Sequence, residues 1–193
     1  LHVEPDKVLR LTMLLHDVAK PVCITTDEAG QNHFKGHPVK GADMAKVILR
    51  RLKFDNDTTD RVCRLVRYHD DRPELNARTV RRAMNRIGVE NMPALFAVKR
   101  ADTLGQSMYH RQEKLAYVDS FERFFQEICA AQQCVQKKDL AISGSDLIAM
   151  GMKPGKEIGA VLNELFERVL DEPELNQRDK LLDMAHNLMT RLI

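Results

Sequence analysis

The chain has 193 residues, 44% of them apolar and 30% charged, a balance that belongs to a folded globular chain and excludes a disordered one. Lys and Arg number 30 against 28 Asp and Glu, and the formal net charge of +2 excludes a polybasic tail as the main route to nucleic acid while leaving room for local basic stripes. With 5% aromatic residues and no Trp, a β-sandwich or barrel is disfavoured, and no apolar stretch approaches the roughly 20 residues that span a bilayer.

Periodicity is helical nearly throughout. Pro5 stands where a first helical turn tolerates it, and Val8, Leu11, Leu15 and Val18 follow at three- and four-residue steps until Pro21 ends that helix. From Val22 to Phe34 the pattern breaks, and Asp27-Glu28-Ala29-Gly30 reads as the turn of a short hairpin or ordered loop. A second helix starts near Pro38 and runs through Ala42, Ala45, Leu49 and Leu52. A third opens near Asp57, where Asp or Thr can cap it, and carries Val62, Leu65, Val66 and His69 on one face. A fourth covers about Arg78 to Ile87 and stops at Gly88; a fifth, from Pro93, puts Leu95, Val98 and Asp102 on one side. The long helix that follows, about Arg111 to Ala131, has the stripe Leu115, Val118, Phe121, Phe125 and Ile128, which with Phe124 reads as core more readily than as a base-stacking platform.

Gln132-Gln133 and Gln136-Lys137-Lys138 form a polar connector. Beyond it come a short helix (Gly144 to Met150), the glycine-bounded turn Gly151-Met152-Lys153-Pro154-Gly155, and a helix to about Leu170. A second turn, Asp171 to Asn176, leads to a last helix carrying Leu181, Leu182, Ala185, Leu188, Met189 and Leu192. The expected fold is all-α, with domains at residues 1–135 and 136–193. Cys23, Cys63, Cys129 and Cys134 include no C-x-x-C pair, so they read as reduced thiols of a cytoplasmic protein, not as a zinc ribbon or disulfide framework.

The sharpest local feature is His16-Asp17, at the end of the first apolar helix. Helix neighbours diverge by about 100°, so the two cannot stack, but both can lean toward one ion at the helix edge. His37 sits at a helix N-terminus, after Gly36 and before Pro38, while His69 and Asp102 fall on buried helix faces. An aspartate facing a core is costly unless paired or metal-bound. A His/carboxylate set without thiolate suits a first-row divalent ion, which lowers the pKa of bound water toward roughly 7 and orients a phosphoryl group. Lys20, one turn after His16, adds a positive charge for a phosphate. Each residue alone also reads as packing: the histidines as satisfied core residues, the aspartates as acceptors between helices.

Leu14-Leu15-His16-Asp17-Val18-Ala19-Lys20-Pro21, followed by His33-Phe34-Lys35-Gly36-His37 and Gly41-Ala42, resembles the HD superfamily of metal-dependent phosphohydrolases. The family pattern H…HD…H…H…D then falls on His16 and Asp17, His37, His69 and Asp102, the last within Arg100-Ala101-Asp102-Thr103-Leu104-Gly105-Gln106-Ser107. The resemblance implies an HD-type helical bundle and a divalent metal ion (manganese, nickel, cobalt, iron, zinc or magnesium) on those five residues; Asp17, and Lys20 by its position, are the candidate catalytic residues. The family's first histidine stands on a helix before the central pair; His2, separated from His16 by one helix only, does not match it. With Leu1 in place of Met at the start, the expectation is a piece of a longer chain.

The stretch from Leu140-Ala141-Ile142-Ser143-Gly144-Ser145-Asp146 to Met150-Gly151-Met152-Lys153-Pro154-Gly155-Lys156-Glu157-Ile158-Gly159 resembles the C-terminal RNA-binding segment of bacterial tRNA nucleotidyltransferases, the CCA-adding enzymes related to poly(A) polymerases. Some members carry an HD region before this tail, in the order seen here. Gly151 and Gly155 flank Pro154 ahead of a helix, with Lys153 and Lys156 beside them, an arrangement that fits a phosphate at a helix N-terminus and equally a simple turn. Arg78, Arg82 and Arg86, with Arg81 beside them, form a stripe that reads as a phosphate-backbone track or as a solvated face.

Together the resemblances imply the C-terminal part of such an enzyme. An HD-type body and a smaller helical RNA-binding tail would hold tRNA, while a head upstream of Leu1 takes the nucleotide substrates and extends the 3′ end. Two alternatives stand beside it: a stand-alone metal-dependent phosphohydrolase acting on 2′,3′-cyclic or 2′-phosphates, and a non-catalytic RNA-binding scaffold. No membrane partner is expected, and a homodimer is left open.

Overall fold

The computed structural model describes residues 2–190. In chain order the elements are α1 (Lys7–Leu15), α2 (Lys20–Cys23), β1 (Thr25–Thr26), β2 (Asn32–His33), α3 (His37–Arg51), α4 (Asn56–Tyr68), α5 (Ala77–Ile87), α6 (Met92–Gly105), α7 (Arg111–Ala130), α8 (Gly144–Ala149), α9 (Lys156–Asp171) and α10 (Arg178–Met189). Among the described residues the fold is all-α apart from one small antiparallel hairpin, which pairs Thr25 with His33 and Thr26 with Asn32. No helix of the described residues is long and apolar enough to cross a membrane. Leu1 and Leu192 lie outside the described residues.

The chain forms two compact units, Leu1–Pro73 with Ile87–Arg123 and Glu74–Arg86 with Phe124–Ile193. A cut after residue 135 does not reproduce this division, because α5 up to Arg86 and the end of α7 join the C-terminal helices. The reason is Arg81, buried on α5: its Nε donates to the Leu170 carbonyl (2.7 Å), Nη2 to the Asp171 carbonyl (2.9 Å) and Nη1 to Gln133 Oε1 (2.9 Å). The guanidinium thereby satisfies carbonyls at the end of α9 that have no helical partner.

In the first unit, Asp6 caps α1 by accepting from the Leu9 N–H at 2.8 Å. The helix stops at Leu15, six residues before the proline expected to end it. Pro21 has no N–H to donate to the Asp17 carbonyl and its ring crowds that carbonyl, so the helix cannot run through. Instead His16 to Ala19 form a turn, tightened by Val18 N–H to Leu15 (3.1 Å) and Lys20 N–H to Asp17 (3.0 Å), and Pro21 sits in the first turn of α2. Helix α4 is capped by Asp55, not by Asp57, through the Thr58 N–H (2.8 Å) and hydroxyl (2.7 Å).

Helix α3 lies along α4, and α1 packs on α4 and α6. Leu49, Val62, Leu65, Val66, Leu95 and Val98 are fully buried there, and Phe96 meets Phe121 edge to face at 5.2 Å. Gly41 sets the approach of α3 to the His16 turn. A Cβ at that position would stand 3.3 Å from Val66 Cγ1 and 3.6 Å from the His16 carbonyl.

The second unit packs α9 against α10 and α8 around Leu147, Leu165, Val169, Leu181 and Ala185. Asp146 closes the start of α8, accepting from the Ser143 N–H (2.6 Å) and hydroxyl (2.8 Å) and from Arg178 (2.6 Å).

Candidate functional site

Five side chains from four parts of the first unit converge on one point. His16 caps the end of α1 and Asp17 follows it in the turn. His37 is the first residue of α3, set there by Gly36, whose φ of 81° is a left-handed backbone angle that favours glycine. His69 caps the end of α4, and Asp102 lies on α6. Asp17 and the Nε2 atoms of His37 and His69 form one cluster of potential metal ligands, with atoms within 4.8 Å of one another; His16, Asp17 and Asp102 form a second, sharing Asp17. Asp102 sits half-buried at the edge of this cluster, not on a sealed core face as its spacing predicts.

All three histidines are oriented alike. Nδ1 donates to the carbonyl three residues earlier: His16 to Met13 (2.9 Å), His37 to Phe34 (2.8 Å), His69 to Val66 (2.7 Å). Since a carbonyl only accepts, Nδ1 carries the proton, and every Nε2 is turned toward the carboxylates. His37 and His69 approach Nε2 to Nε2 at 3.3 Å. Their Nε2 atoms stand 3.4 and 3.7 Å from Asp17 Oδ1, a buried oxygen that lacks any partner in hydrogen-bond geometry. A buried carboxylate oxygen without a donor, facing two ring nitrogens, is a site that a divalent cation fits.

Electrostatics follow from the same geometry. Burial works against a charge on His16, but its hydrogen bonds to Asp102 and Asp17, each at 3.3 Å, outweigh that and push the imidazole up to about 10. Burial likewise opposes ionisation of Asp17, yet His16, His69 and Lys20 hold its carboxyl far below the usual range. Lys20 is bound to Asp17 Oδ2 at 2.6 Å and lies over the Phe34 ring, 5.6 Å from its centre. A cleft of about 560 Å³ opens onto the cluster, with Lys20, His33, Lys35 and Gln106 in its walls.

A model of the family described as "tRNA nucleotidyltransferase domain 2 putative" matches residues 39–185. The chain belongs to the tRNA nucleotidyltransferase family. It is 31% identical over 164 residues to a CC-adding tRNA nucleotidyltransferase of Thermus thermophilus, covering 82% of this chain and 35% of the relative. Identity is again 31%, over 174 residues, to an A-adding tRNA nucleotidyltransferase of Deinococcus radiodurans, covering 88% of this chain and 39% of the relative. A CCA-adding enzyme of Lacticaseibacillus paracasei is 37% identical over 73 residues, 38% of this chain and 18% of the relative. The chain thus spans little more than a third of the length of the first two relatives. No solved structure matches it.

The remaining sequence-predicted residues of this tRNA nucleotidyltransferase-family chain lie in the second unit. Arg78 grips Asp171 with two bonds (2.8 and 2.6 Å), and Arg82 bonds both Asp171 (2.8 Å) and Glu167 (2.8 Å). Both guanidinium groups are therefore engaged by carboxylates, and Arg86 is exposed on the same helix. Gly151 adopts a left-handed angle (φ 97°), and Gly155 precedes α9 with exposed Lys153 and Lys156 on either side of it.

Sequence reasoning missed Lys99, a buried ammonium that donates to the His69 carbonyl (2.8 Å) and the Asp71 carbonyl (2.5 Å). Its signal is present: Lys99 and Asp102 on α6 and Gln106 just after it recur at three and four residues, a polar stripe on a helix otherwise packed into the core.

Proposed function

We propose that this chain is the HD-type body and tRNA-binding tail of an enzyme that builds or repairs the tRNA 3′ end, the nucleotide substrates being handled by a head outside this sequence. Family membership supports the enzyme class, as do the names of the relatives, a CC-adding and an A-adding tRNA nucleotidyltransferase and a CCA-adding enzyme. In this reading Gly151, Lys153, Gly155 and Lys156 hold phosphates of the tRNA at the start of α9. For Arg78, Arg82 and Arg86 to join, a phosphate has to replace their partners within the fold, Asp171 among them.

The test is binding of the whole chain to a tRNA lacking its CCA end, with salt varied. Lys153→Ala/Lys156→Ala is expected to weaken binding and reduce the salt slope by roughly 0.7–0.9 per lost phosphate contact. An unchanged slope sinks the tail assignment. Incorporation of ATP or CTP by the chain alone would overturn the assignment of nucleotide transfer to a separate head.

The convergence of His16, Asp17, His37, His69 and Asp102 favours a second reading: the body is also a metal-dependent phosphohydrolase for 2′,3′-cyclic or 2′-phosphates. The five residues would hold the ion, which when bound supplies a Lewis acid for water activation and phosphoryl polarisation. Lys20 stands where it can pair with a phosphate oxygen in place of Asp17 Oδ2, and Lys35 adds positive charge to the same cleft. Elemental analysis of purified protein and hydrolysis of 2′,3′-cyclic nucleotides test this reading. It requires bound divalent metal and loss of turnover in Asp17→Ala.

A further inference from the structure

We infer that Gln106 and Lys114 are positioning residues for Asp102, fixing which of its carboxylate oxygens faces the histidine cluster; the inference rests on the metal-centre reading above. Gln106 follows the last residue of α6, and its N–H closes the helix onto the Asp102 carbonyl at 3.1 Å. Its side chain folds back over the same turn, where Nε2 donates to Asp102 Oδ2 at 2.8 Å. Oε1 accepts from Lys114 Nζ at 2.8 Å.

The two ends of the amide are not interchangeable. Lys114 only donates and an ionised Asp102 only accepts, so a flipped amide would set donor against donor and acceptor against acceptor. Lys114 therefore dictates which end of Gln106 meets Asp102. The main chain of Gln106 is fixed as well: Arg111 Nη2 donates to its carbonyl at 2.6 Å and to the Leu104 carbonyl at 3.2 Å. With Oδ2 occupied, Oδ1 is the oxygen left to face His16 Nε2, at 3.3 Å. The relay spans two openings on either side of Asp102. Gln106 lines the cleft of Asp17 and His37, and Lys114 lines a separate cavity of about 350 Å³ that also borders His69 and Asp102. Groups that hold a ligating carboxylate from behind are worth about 10- to 100-fold in metal affinity.

The experiment is titration calorimetry of Mn(II) and Co(II) into the whole chain stripped of metal, with circular dichroism to confirm that each variant is folded. Gln106→Leu keeps the size of the side chain and removes both polar atoms; affinity is expected to fall 10- to 100-fold. Lys114→Met should weaken binding by itself and have no further effect in the Gln106→Leu background, because both act through one carboxylate. A merely structural role for either residue would not produce that non-additivity. If Gln106→Leu binds as tightly as the parent while Asp102→Ala does not bind, the positioning role is overturned and the metal centre stands. If the parent chain takes up neither ion, both readings fall.

Discussion

His37 and His69 meet Nε2 to Nε2 at 3.3 Å, each with its Nδ1 proton held by a main-chain carbonyl. Two lone pairs repel at that distance, and a divalent cation between the rings and Asp17 would relieve that repulsion. A divalent ion that binds the folded chain and not the unfolded one raises stability by about 2.7 kcal/mol at a hundredfold excess over Kd. Chelator-treated protein is therefore expected to melt higher on addition of Mn(II) or Zn(II). The His37→Ala/His69→Ala variant should lose most of that response. Thermal unfolding with and without metal measures it, and a parent protein indifferent to both ions would count against the site.

Lys99 supports the same site from beneath. Its ammonium bonds the carbonyls of His69 and Asp71, so Lys99→Met leaves both without that donor in a buried setting. A loss of about 3 kcal/mol is expected from hydrogen bonds to a charged group. Urea unfolding at constant pH gives the value. A change below about 0.5 kcal/mol would show that Lys99 does not hold the end of α4.

The arginines of α5 separate by burial. Arg81→Ala strips donors from the Leu170 and Asp171 carbonyls and from Gln133, and is expected to destabilise the second unit by about 3 kcal/mol. Arg78, which is exposed and paired with Asp171, should cost far less than Arg81 when changed to Ala, because solvent screens an exposed ion pair. Equal effects from the two variants would refute the distinction.

Asp146 makes the second unit acid-sensitive. The Arg178 hydrogen bond, followed by the Ser143 N–H and hydroxyl, lowers its carboxyl from 3.8 to about 2. The unfolded chain thus binds this proton at higher pH than the folded chain does. The resulting stability is complete above about pH 5 and is lost as pH falls from about 4 through 2. Asp146→Asn should be less stable than the parent near neutrality, and the two should converge near pH 2. A parent and variant separated by the same margin at pH 6 and pH 2 would contradict this.

The helical class, the break in helical pattern from Val22 to Phe34 and most helix boundaries are legible in the sequence. The core positions of α4, α6 and α7 recur at helical spacing, and Gly88 marks a stop at its φ of 91°. The end of the first helix is not legible in the sequence, because apolar spacing continues through Val18, whereas the missing N–H and the bulk of Pro21 act on the preceding turn. The grouping of α5 with the C-terminal helices follows a buried guanidinium that reaches from α5 to the end of α9, a contact that composition along the chain does not encode. Arg78 and Arg82 read as a free stripe because their carboxylate partners are 85 to 93 residues away along the chain.

By itself the sequence determined an all-α fold, set by a 3.6-residue apolar period, and named the five residues His16, Asp17, His37, His69 and Asp102. Only tertiary structure decided that they meet. The close passage of α3 at Gly41 brings His37 beside the His16 turn, and backbone carbonyls turn each Nε2 inward. Supporting groups such as Gln106 and Lys99 become visible only there, because a hydrogen bond across the fold depends on distance and direction in space, which spacing along the chain does not encode.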